Sequence, residues 1–520
     1  MLKRLWGVAI ATSALSCKMA ELWWILMFQV RLQLTLLQLA AVESYGSIAY
    51  EYEKNSYPLA MADMLWGSSP APLDFLQQLD AQATETQGVD LLSGFTLQSQ
   101  MRKYFYFGDQ LDPVYRQRMW QAMHDFTISD PLTRTADPPR KFWARSTDDC
   151  DTPVDCRNTD NLRAMRDTSV YLMAEETGNE VTRLMYKQHL ERYVATLLDI
   201  GMGEWDSPVY HGHTTAAYLN LYDFAKDPEV QQLAQDALDW LYRSAAIKYW
   251  RGSWTGPSKR IYGDSAARFF WLYFGQAPAP DELERDWLYG ITSDYLPPAD
   301  VVAISQRRFS KPIELQRTHP HYENWKPGLY GPAFYETLYI SHSYQLGSLA
   351  QGTGGDWKGF SLYMANATGG TNELTINADQ PHAIAQYENL LIWHGKTAPQ
   401  MSIPDICTKV DSKTADGITF LTCNQTWIAV HGFNRGFVLE MGEPQTHGSF
   451  INFQRQVTSR ARLTVDARRV EYQDSTGKQV AISSQGQDLP KIWRDGQQYN
   501  WEDHDREMSF VLQQLSFSRH

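Results

Sequence analysis

The chain has 520 residues and a formal charge of −13, and 43 % of its residues are hydrophobic while 21 % are charged. This length suits two to four domains, the composition excludes general disorder, and the charge argues against binding of nucleic acid through its phosphates. Aromatic residues make up 13 %, which suits buried cores and also clefts where a flat ring lies against a sugar.

The N-terminus has the pattern of an export signal. Lys3 and Arg4 precede an apolar run over residues 5–15, and residues 14–16 have the small-x-small form of a cleavage site before Cys17. We therefore predict a signal peptide over residues 1–17 and a secreted, periplasmic or cell-surface protein. The position of Cys17 leaves a lipid anchor open as an alternative.

Residues 18–60 are predicted to form a separate N-terminal segment. An apolar stretch over residues 22–42 is interrupted by Gln29, Arg31 and Gln33, which favours an amphipathic helix over a bilayer span. Contact with a membrane is expected only through this segment or through a lipid anchor.

Residues 61–300 are predicted to form a helical domain, because the apolar pattern is helical from about Gln100 to Gly290. Apolar residues recur at three- and four-residue spacing over residues 162–173, 190–198 and 230–241, and Asp227-Pro228 is a typical helix start. The pattern predicts antiparallel helices joined by loops. This region contains no G-x-G-x-x-G and no P-loop sequence, so nucleotide binding has no support, and we expect neither a cofactor nor a metal.

A break between two of these helices holds residues 204–213, with the sequence EWDSPVYHGH. It contains two carboxylates, a tyrosine and two histidines, which are side chains that transfer protons near neutral pH. A functional cluster is the favoured interpretation. In the alternative, Glu204 and Asp206 cap helices while His211 and His213 face solvent or the core.

From about residue 301 the period becomes two. Alternation over residues 360–364, 451–454 and 462–467, with the turn sequence DSTG at 474–477, predicts an antiparallel β-sandwich over residues 301–520. Helices followed by strands indicate an α+β multidomain protein with segregated domains.

Several polar side chains belong to the start of this second half. Tyr339, His342 and Tyr344 are predicted on one early strand, on which His342 and Tyr344 would point to the same face. His319 and His321 form an H-x-H pair that can hold a metal, but no further ligand is near in sequence, so a structural role is favoured.

The cysteines are compatible with export. Local pairing predicts disulfides between Cys150 and Cys156 and between Cys407 and Cys423, the second pair flanking an apparent hairpin. The alternative is four reduced thiols in a cytosolic protein.

Four short motifs accompany this helical array and sandwich: NTDN at 158–161, the segment 204–210, KRIY at 259–262 and residues 339–347. Together they resemble the toroid-plus-sandwich polysaccharide lyases, a group that includes the heparinase II/III-like, alginate-lyase-like and chondroitin-lyase-like enzymes of the six-hairpin superfamily. The resemblance covers residues 60 to 520. It implies an N-terminal (α/α) incomplete toroid of helical hairpins, a C-terminal antiparallel β-sandwich, and β-elimination of an acidic, uronic-acid-containing polysaccharide.

The resemblance also implies catalytic roles. Asn161, with Asn158 in reserve, would neutralise the substrate carboxylate, and Tyr210 would transfer a proton together with His211 or His213. Leu162 stands where a histidine is expected beside the asparagine, which leaves the base open. The alternative for Asn161 is the N-cap of a helix.

Further residues would bind the substrate or complete the site. Arg260 would grip a carboxylate, with Tyr262 beside it. Glu204 would orient a catalytic group or bind a sugar hydroxyl. His342 is a candidate for substrate binding and Tyr344 for catalysis.

Two other functions remain open. An inverting glycoside hydrolase on the same scaffold would pair Glu204 or Asp206 with Asp264 across a water molecule. A non-catalytic glycan-binding protein would keep an aromatic cleft without clustered acids and bases. The oligomeric state is not predicted.

Overall fold

The computed structural model describes residues 15–40, 53–66, 70–80, 88–91, 94–128, 159–320, 332–352, 354–377, 382–411, 417–466, 468–483 and 489–504. Most of the predicted signal peptide, Asn158, His321 and the predicted disulfide between Cys150 and Cys156 lie outside these residues.

The N-terminal half consists of helices joined by turns and loops. The helices are α1 (Leu15–Ala40), α2 (Glu53–Trp66), α3 (Ala71–Asp80), α4 (Gly94–Tyr106), α5 (Pro113–Ile128), α6 (Asp160–Thr177), α7 (Glu180–Ile200), α8 (Tyr210–Phe224), α9 (Pro228–Lys248), α10 (Ser265–Phe274), α11 (Trp287–Thr292) and α12 (Ala299–Ser305). Helix α6 packs against α4, α7 and α8, and α8 packs against α9. The predicted helical domain is therefore confirmed.

Helix α9 shows why the sequence specifies these elements. The Asp227 side chain accepts a hydrogen bond from the backbone N–H of Glu229 at 3.0 Å, and Pro228 takes the first helical position, where no N–H is needed. Val230, Ala234 and the following apolar residues of one face are buried. Burial of this face against neighbouring helices, more than intrinsic propensity, stabilises the helix.

Helix α1 packs on the helical domain. The indole nitrogen of Trp24 donates a hydrogen bond to the carbonyl of Tyr273 at 3.0 Å, and Arg31 donates to the carbonyl of Leu272 at 2.7 Å. Phe28 lies buried against α10. Among the described helices, α1 included, none is both long and apolar enough to cross a bilayer.

Three short strands lie within the helical half, and the others follow it. They are β1 (Tyr249–Trp250), β2 (Ser253–Trp254), β3 (Ser258–Lys259), β4 (Ile313–Pro320), β5 (Pro332–Ile340), β6 (Tyr344–Leu349), β7 (Trp357–Lys358), β8 (Phe360–Ala365), β9 (Thr371–Asn377), β10 (His382–Tyr387), β11 (Leu390–Gly395), β12 (Gln400–Ser402), β13 (Cys407–Asp411), β14 (Thr419–Cys423), β15 (Thr426–Phe433), β16 (Gly436–Gly442), β17 (Arg462–Val465), β18 (Val470–Gln473), β19 (Gln479–Ser483), β20 (Lys491–Arg494) and β21 (Gln497–Gln498).

The C-terminal half is an antiparallel sandwich with an added layer. One six-stranded sheet has the order β12-β9-β8-β6-β5-β4 and another has the order β10-β11-β16-β15-β14-β13. Apolar side chains from both sheets form a common core. The outer side of the second sheet is covered by the five-stranded sheet β17-β18-β19-β20-β21. The predicted sandwich is confirmed, while the third layer was not predicted.

Two local predictions were wrong. Residues 450–460 form a helix, α14 (Phe450–Arg460), preceded by the short helix α13 (Pro444–His447), where alternation over 451–454 had predicted a strand. His342 lies in the turn between β5 and β6 rather than on a strand with Tyr344. In α14, Ile451 is exposed and Phe453 is buried, so the apparent alternation was accidental, and at His342 the chain bends between two strands.

The disulfide between Cys407 and Cys423 is present. The two cysteines are directly opposite each other in the register of β13 and β14, as the hairpin prediction requires.

Candidate active site

The loop between α7 and α8 is fixed by a carboxylate at the start of α6. Asp160 accepts hydrogen bonds from the backbone N–H groups of Gly203 at 3.2 Å and Glu204 at 2.7 Å, and from the hydroxyl of Tyr193 at 3.2 Å. Burial raises the pKa of Asp160, while the two N–H groups oppose this rise. The NTDN motif therefore meets the 204–213 segment in space.

Glu204 is a buried carboxyl beside a guanidinium. Its Oε1 lies 3.2 Å from Nε of Arg260, and its Oε2 is buried without a hydrogen bond to any residue that the structure describes. Burial raises the pKa of Glu204 to about 8, although Arg260 acts in the opposite direction. The carboxyl is therefore largely protonated at neutral pH and can donate a hydrogen bond.

Arg260 lies between two tyrosine rings. Its guanidinium carbon is 5.2 Å from the ring centroid of Tyr210 and 5.2 Å from that of Tyr262. Tyr262 is 65 % exposed, so this group opens to solvent. Arg260 has a φ of 60°, a left-handed conformation that is unfavourable for a residue with a Cβ and often occurs at functional sites.

The sandwich holds the Arg260 segment in place. Strand β3 pairs with β7, and the N–H of Arg260 donates to the carbonyl of Asp356 at 2.7 Å. Nζ of Lys259 lies 3.2 Å from the Asp356 carboxylate and 5.6 Å from the ring centroid of Trp357. The candidate site therefore draws on both halves of the chain.

Tyr210 and His213 face the same region from the first turn of α8. Their ring centroids are 6.3 Å apart, and Nδ1 of His213 is hydrogen-bonded to the carboxylate of Asp286. The ring of Phe95 meets the imidazole edge-on at 5.1 Å. The sequence offered no signal for Asp286, which precedes α11 and is distant in the chain.

The structure places other candidate residues away from this group. His211 is fully buried, and its Nε2 donates to the carbonyl of Leu241 at 2.9 Å. Tyr344 lies in the core between the two sheets, and Nε2 of His342 is 2.9 Å from the carbonyl of Phe309. A surface role for His211 or Tyr344 is therefore not compatible with this arrangement.

Asn161 lies buried in the first turn of α6, next to Asp160. Thr159 holds the N-cap position, so the alternative that Asn161 caps this helix is wrong. Asn161 directly follows Asp160, the residue that binds the 203–204 backbone, and it stays a candidate.

A buried ionic network lies under the site, where the two halves meet. Glu336 forms ion pairs with Lys248 and with Arg317 at 2.6 Å, and Asp206 pairs with the same two cations at 3.3 and 2.7 Å. Burial alone would raise the pKa of both carboxyls, but Arg317 and Lys248 outweigh it and hold both values below their usual range. Nε2 of His319 donates a hydrogen bond to the Glu336 carboxylate at 2.8 Å.

This network also has the composition of a metal-ligand set. Ligand atoms of Asp206, His319 and Glu336 lie within 4.8 Å of one another. The two carboxylates are already neutralised by two buried cations, which a metal ion would have to displace. The arrangement fits a structural ionic junction, as favoured for His319 from the sequence.

Two cavities of about 340 and 450 Å³ open at the sandwich hairpin that contains Phe433 and Asn434. None of the residues lining them belongs to the candidate active site.

Comparisons with known proteins add little. No protein-family model and no curated protein matches the chain. Among solved structures, a mutant of the heparan sulfate lyase HepC from Pedobacter heparinus is similar at 12 % identity, over 93 % of this chain and 71 % of that one, with a TM-score of 0.29. A TM-score this low supports no argument about function.

Proposed function

We propose that this chain is an exported polysaccharide lyase that cleaves a uronic-acid-containing polysaccharide by β-elimination. The observation that carries the proposal is the placement of Arg260 between Tyr210 and the exposed Tyr262. A guanidinium suits a carboxylate in both charge and shape, and a phenol beside it can transfer a proton.

Each need of the reaction has a candidate group here. Arg260 and the Asn161 amide would reduce the charge of the substrate carboxylate, which makes the neighbouring C–H acidic. Tyr210 and His213 would transfer protons, and Arg260 would stabilise negative charge on the phenol oxygen. Tyr262 would support a sugar ring, and protonated Glu204 would donate a hydrogen bond within the site.

The inverting hydrolase is less well supported. Such an enzyme needs a carboxylate that can activate water opposite a general acid. Asp206 is buried, and its oxygens accept from Ser244 and Arg317 and lie near Lys248. Asp264 pairs with Arg268 at the surface. Both carboxylates are thus already engaged by cations, which argues against either of them activating water.

The test is ultraviolet absorbance of purified protein mixed with alginate, glucuronan, ulvan, heparan sulfate or chondroitin. A rise marks the unsaturated uronate that only elimination produces, and it names the substrate class. New reducing ends without absorbance would replace the lyase with a hydrolase. Binding without either product would support a glycan-binding protein instead.

A further inference from the structure

The Asp286 carboxylate lies behind His213, and a role for it follows if the proposed function holds. Tyr210 and His213 are three residues apart on α8, a spacing that puts both side chains on one face of the helix. Their ring centroids are 6.3 Å apart, so the phenol and the imidazole are close neighbours.

Asp286 holds the His213 ring from another element. It is 6 % exposed, and its Oδ2 is hydrogen-bonded to Nδ1 of His213. A carboxylate oxygen accepts the hydrogen bond from Nδ1, so in the neutral form of the imidazole the proton lies on Nδ1 and the lone pair on Nε2. Phe95, edge-on to the ring at an interplanar angle of 88°, further limits its rotation.

The surroundings of Asp286 keep it in place. Its backbone N–H donates to the Glu284 side chain at 3.2 Å, and Glu284 is buried beside it. Nε of Arg268 lies 3.8 Å from Glu284, and Arg268 also pairs with Asp264 and with Glu282 at 2.9 Å. Asp286 and Glu284 are thus two adjacent buried carboxyls near His213, and Arg268 lies against Glu284.

We propose that Asp286 is a positioning residue that fixes His213 in the tautomer required of the catalytic base. In the elimination, the C5–H bond breaks and its proton goes to Nε2 of His213. The electron pair forms the C4–C5 double bond as the C4–O bond breaks. The leaving oxygen takes the proton of Tyr210, and the imidazolium later returns a proton to the phenolate through water.

The kinetic test compares Asp286→Asn with Asp286→Glu, using the polysaccharide that the absorbance assay identifies. Loss of an orienting carboxylate typically costs about 10²- to 10⁴-fold in rate. We expect Asp286→Asn to lower kcat at least about 100-fold with KM within about twofold, and Asp286→Glu to recover most of that loss. Glu282→Gln is the matched control, because Glu282 lies in the same loop as Asp286. Its side chain is 77 % exposed and pairs with Arg268. It should keep kcat within about twofold.

A second readout does not depend on activity. Nitrogen NMR of the histidines, assigned by comparison with His213→Gln, should show the Nδ1–H tautomer for His213 in the wild type and in Asp286→Glu. Asp286→Asn should show a mixture or the Nε2–H form.

The outcomes separate the two proposals. No unsaturated product from the wild type with any polysaccharide would end the lyase proposal, and the tautomer measurement would then decide the role of Asp286 alone. An unchanged kcat or an unchanged tautomer in Asp286→Asn would overturn the positioning role. A third outcome is that the two Asp286 variants lose kcat to the same extent and show the same drop in melting temperature. That result would overturn the positioning role in favour of a structural one.

Discussion

At the scale of single residues, Tyr210 is the side chain whose removal is most informative. Tyr210→Phe deletes only the hydroxyl, so ring packing against Arg260 remains. We expect turnover to fall at least about 10³-fold, while the melting temperature changes by less than about 2 °C. The measurements are initial rates by absorbance and thermal unfolding.

Tyr222→Phe is the control for this variant, because Tyr222 lies on the same helix and stacks edge-on with Tyr295. It should keep full activity. If Tyr210→Phe also kept full activity, Tyr210 would have no part in the mechanism.

The raised pKa of Glu204 predicts how the free energy of unfolding depends on pH. Its pKa is raised from 4.5 to about 8 in the folded protein, so between these values the folded state binds the proton more tightly than the unfolded state. The contribution of Glu204 to the free energy of unfolding is fully present below pH 4.5 and is lost as the pH rises through 8. Glu204→Gln removes this loss and should be more stable than the wild type at pH 9, by up to about 4 kcal/mol.

Urea unfolding at pH 5 and pH 9 measures this difference. Glu191→Gln, a change at an exposed carboxyl on α7, is the control. A stability difference between wild type and Glu204→Gln that is the same at both pH values would show that burial does not raise this pKa.

At the scale of secondary-structure elements, the helical periodicity of apolar residues was the clearest structural signal in the sequence. Helices α6, α7 and α9 lie where apolar spacing predicted them, because each presents one apolar face to its neighbours. Helix α14 was missed. Phe453 and Val457 are its buried residues at a helical spacing of four, but Ile451 is 65 % exposed and created a false alternation with Phe453.

The hairpin of β13 and β14 carries the second element-scale prediction. Its disulfide joins residues 16 apart and restricts the unfolded chain. We expect the double variant Cys407→Ser, Cys423→Ser to lose about 3 kcal/mol of unfolding free energy. A reductant should lower the stability of the wild type to that of the variant. A variant as stable as the oxidised wild type would show that the bridge contributes nothing.

At the scale of the whole molecule, the buried ionic network joins the helical half to the sandwich. Glu336→Gln leaves Lys248 and Arg317 with one carboxylate instead of two. We expect a loss of about 3–5 kcal/mol, because breaking a buried pair leaves uncompensated charge. Glu229→Gln, which breaks an exposed pair with Lys187, should cost less than about 1 kcal/mol.

The same network predicts sensitivity to acid. The folded-state pKa values of Asp206 and Glu336 are lowered. Their contribution to the free energy of unfolding is therefore present above about pH 4.5 and is lost as the pH falls below that value. Thermal unfolding from pH 7 to pH 3 should show a steeper loss for the wild type than for Glu336→Gln. Parallel curves would contradict this origin of acid sensitivity.

Only part of the candidate site could be predicted from the sequence. Residue types and spacing predicted roles for Tyr210, His213 and Arg260, because proton-transfer side chains and an arginine stood in short loops, and the structure brings these three side chains together. Asp286 and Asp356 were missed, since single acidic residues give no local signal and only the fold brings them to the site. His211 was predicted as an alternative to His213, and its ring lies in the core, because the sequence alone does not show which way a histidine points.

The pairing of β3 with β7 has a consequence for how the protein is made. The helical half leaves the ribosome before residues 354–358 have been synthesised. The backbone N–H of Arg260 nevertheless depends on the carbonyl of Asp356 for its hydrogen bond. A nascent chain that stops after α12 therefore has its tyrosines but lacks the partner that sets the arginine between them. The placement of Arg260 between the two tyrosines would therefore be completed only late in synthesis, once β7 has formed and paired with β3.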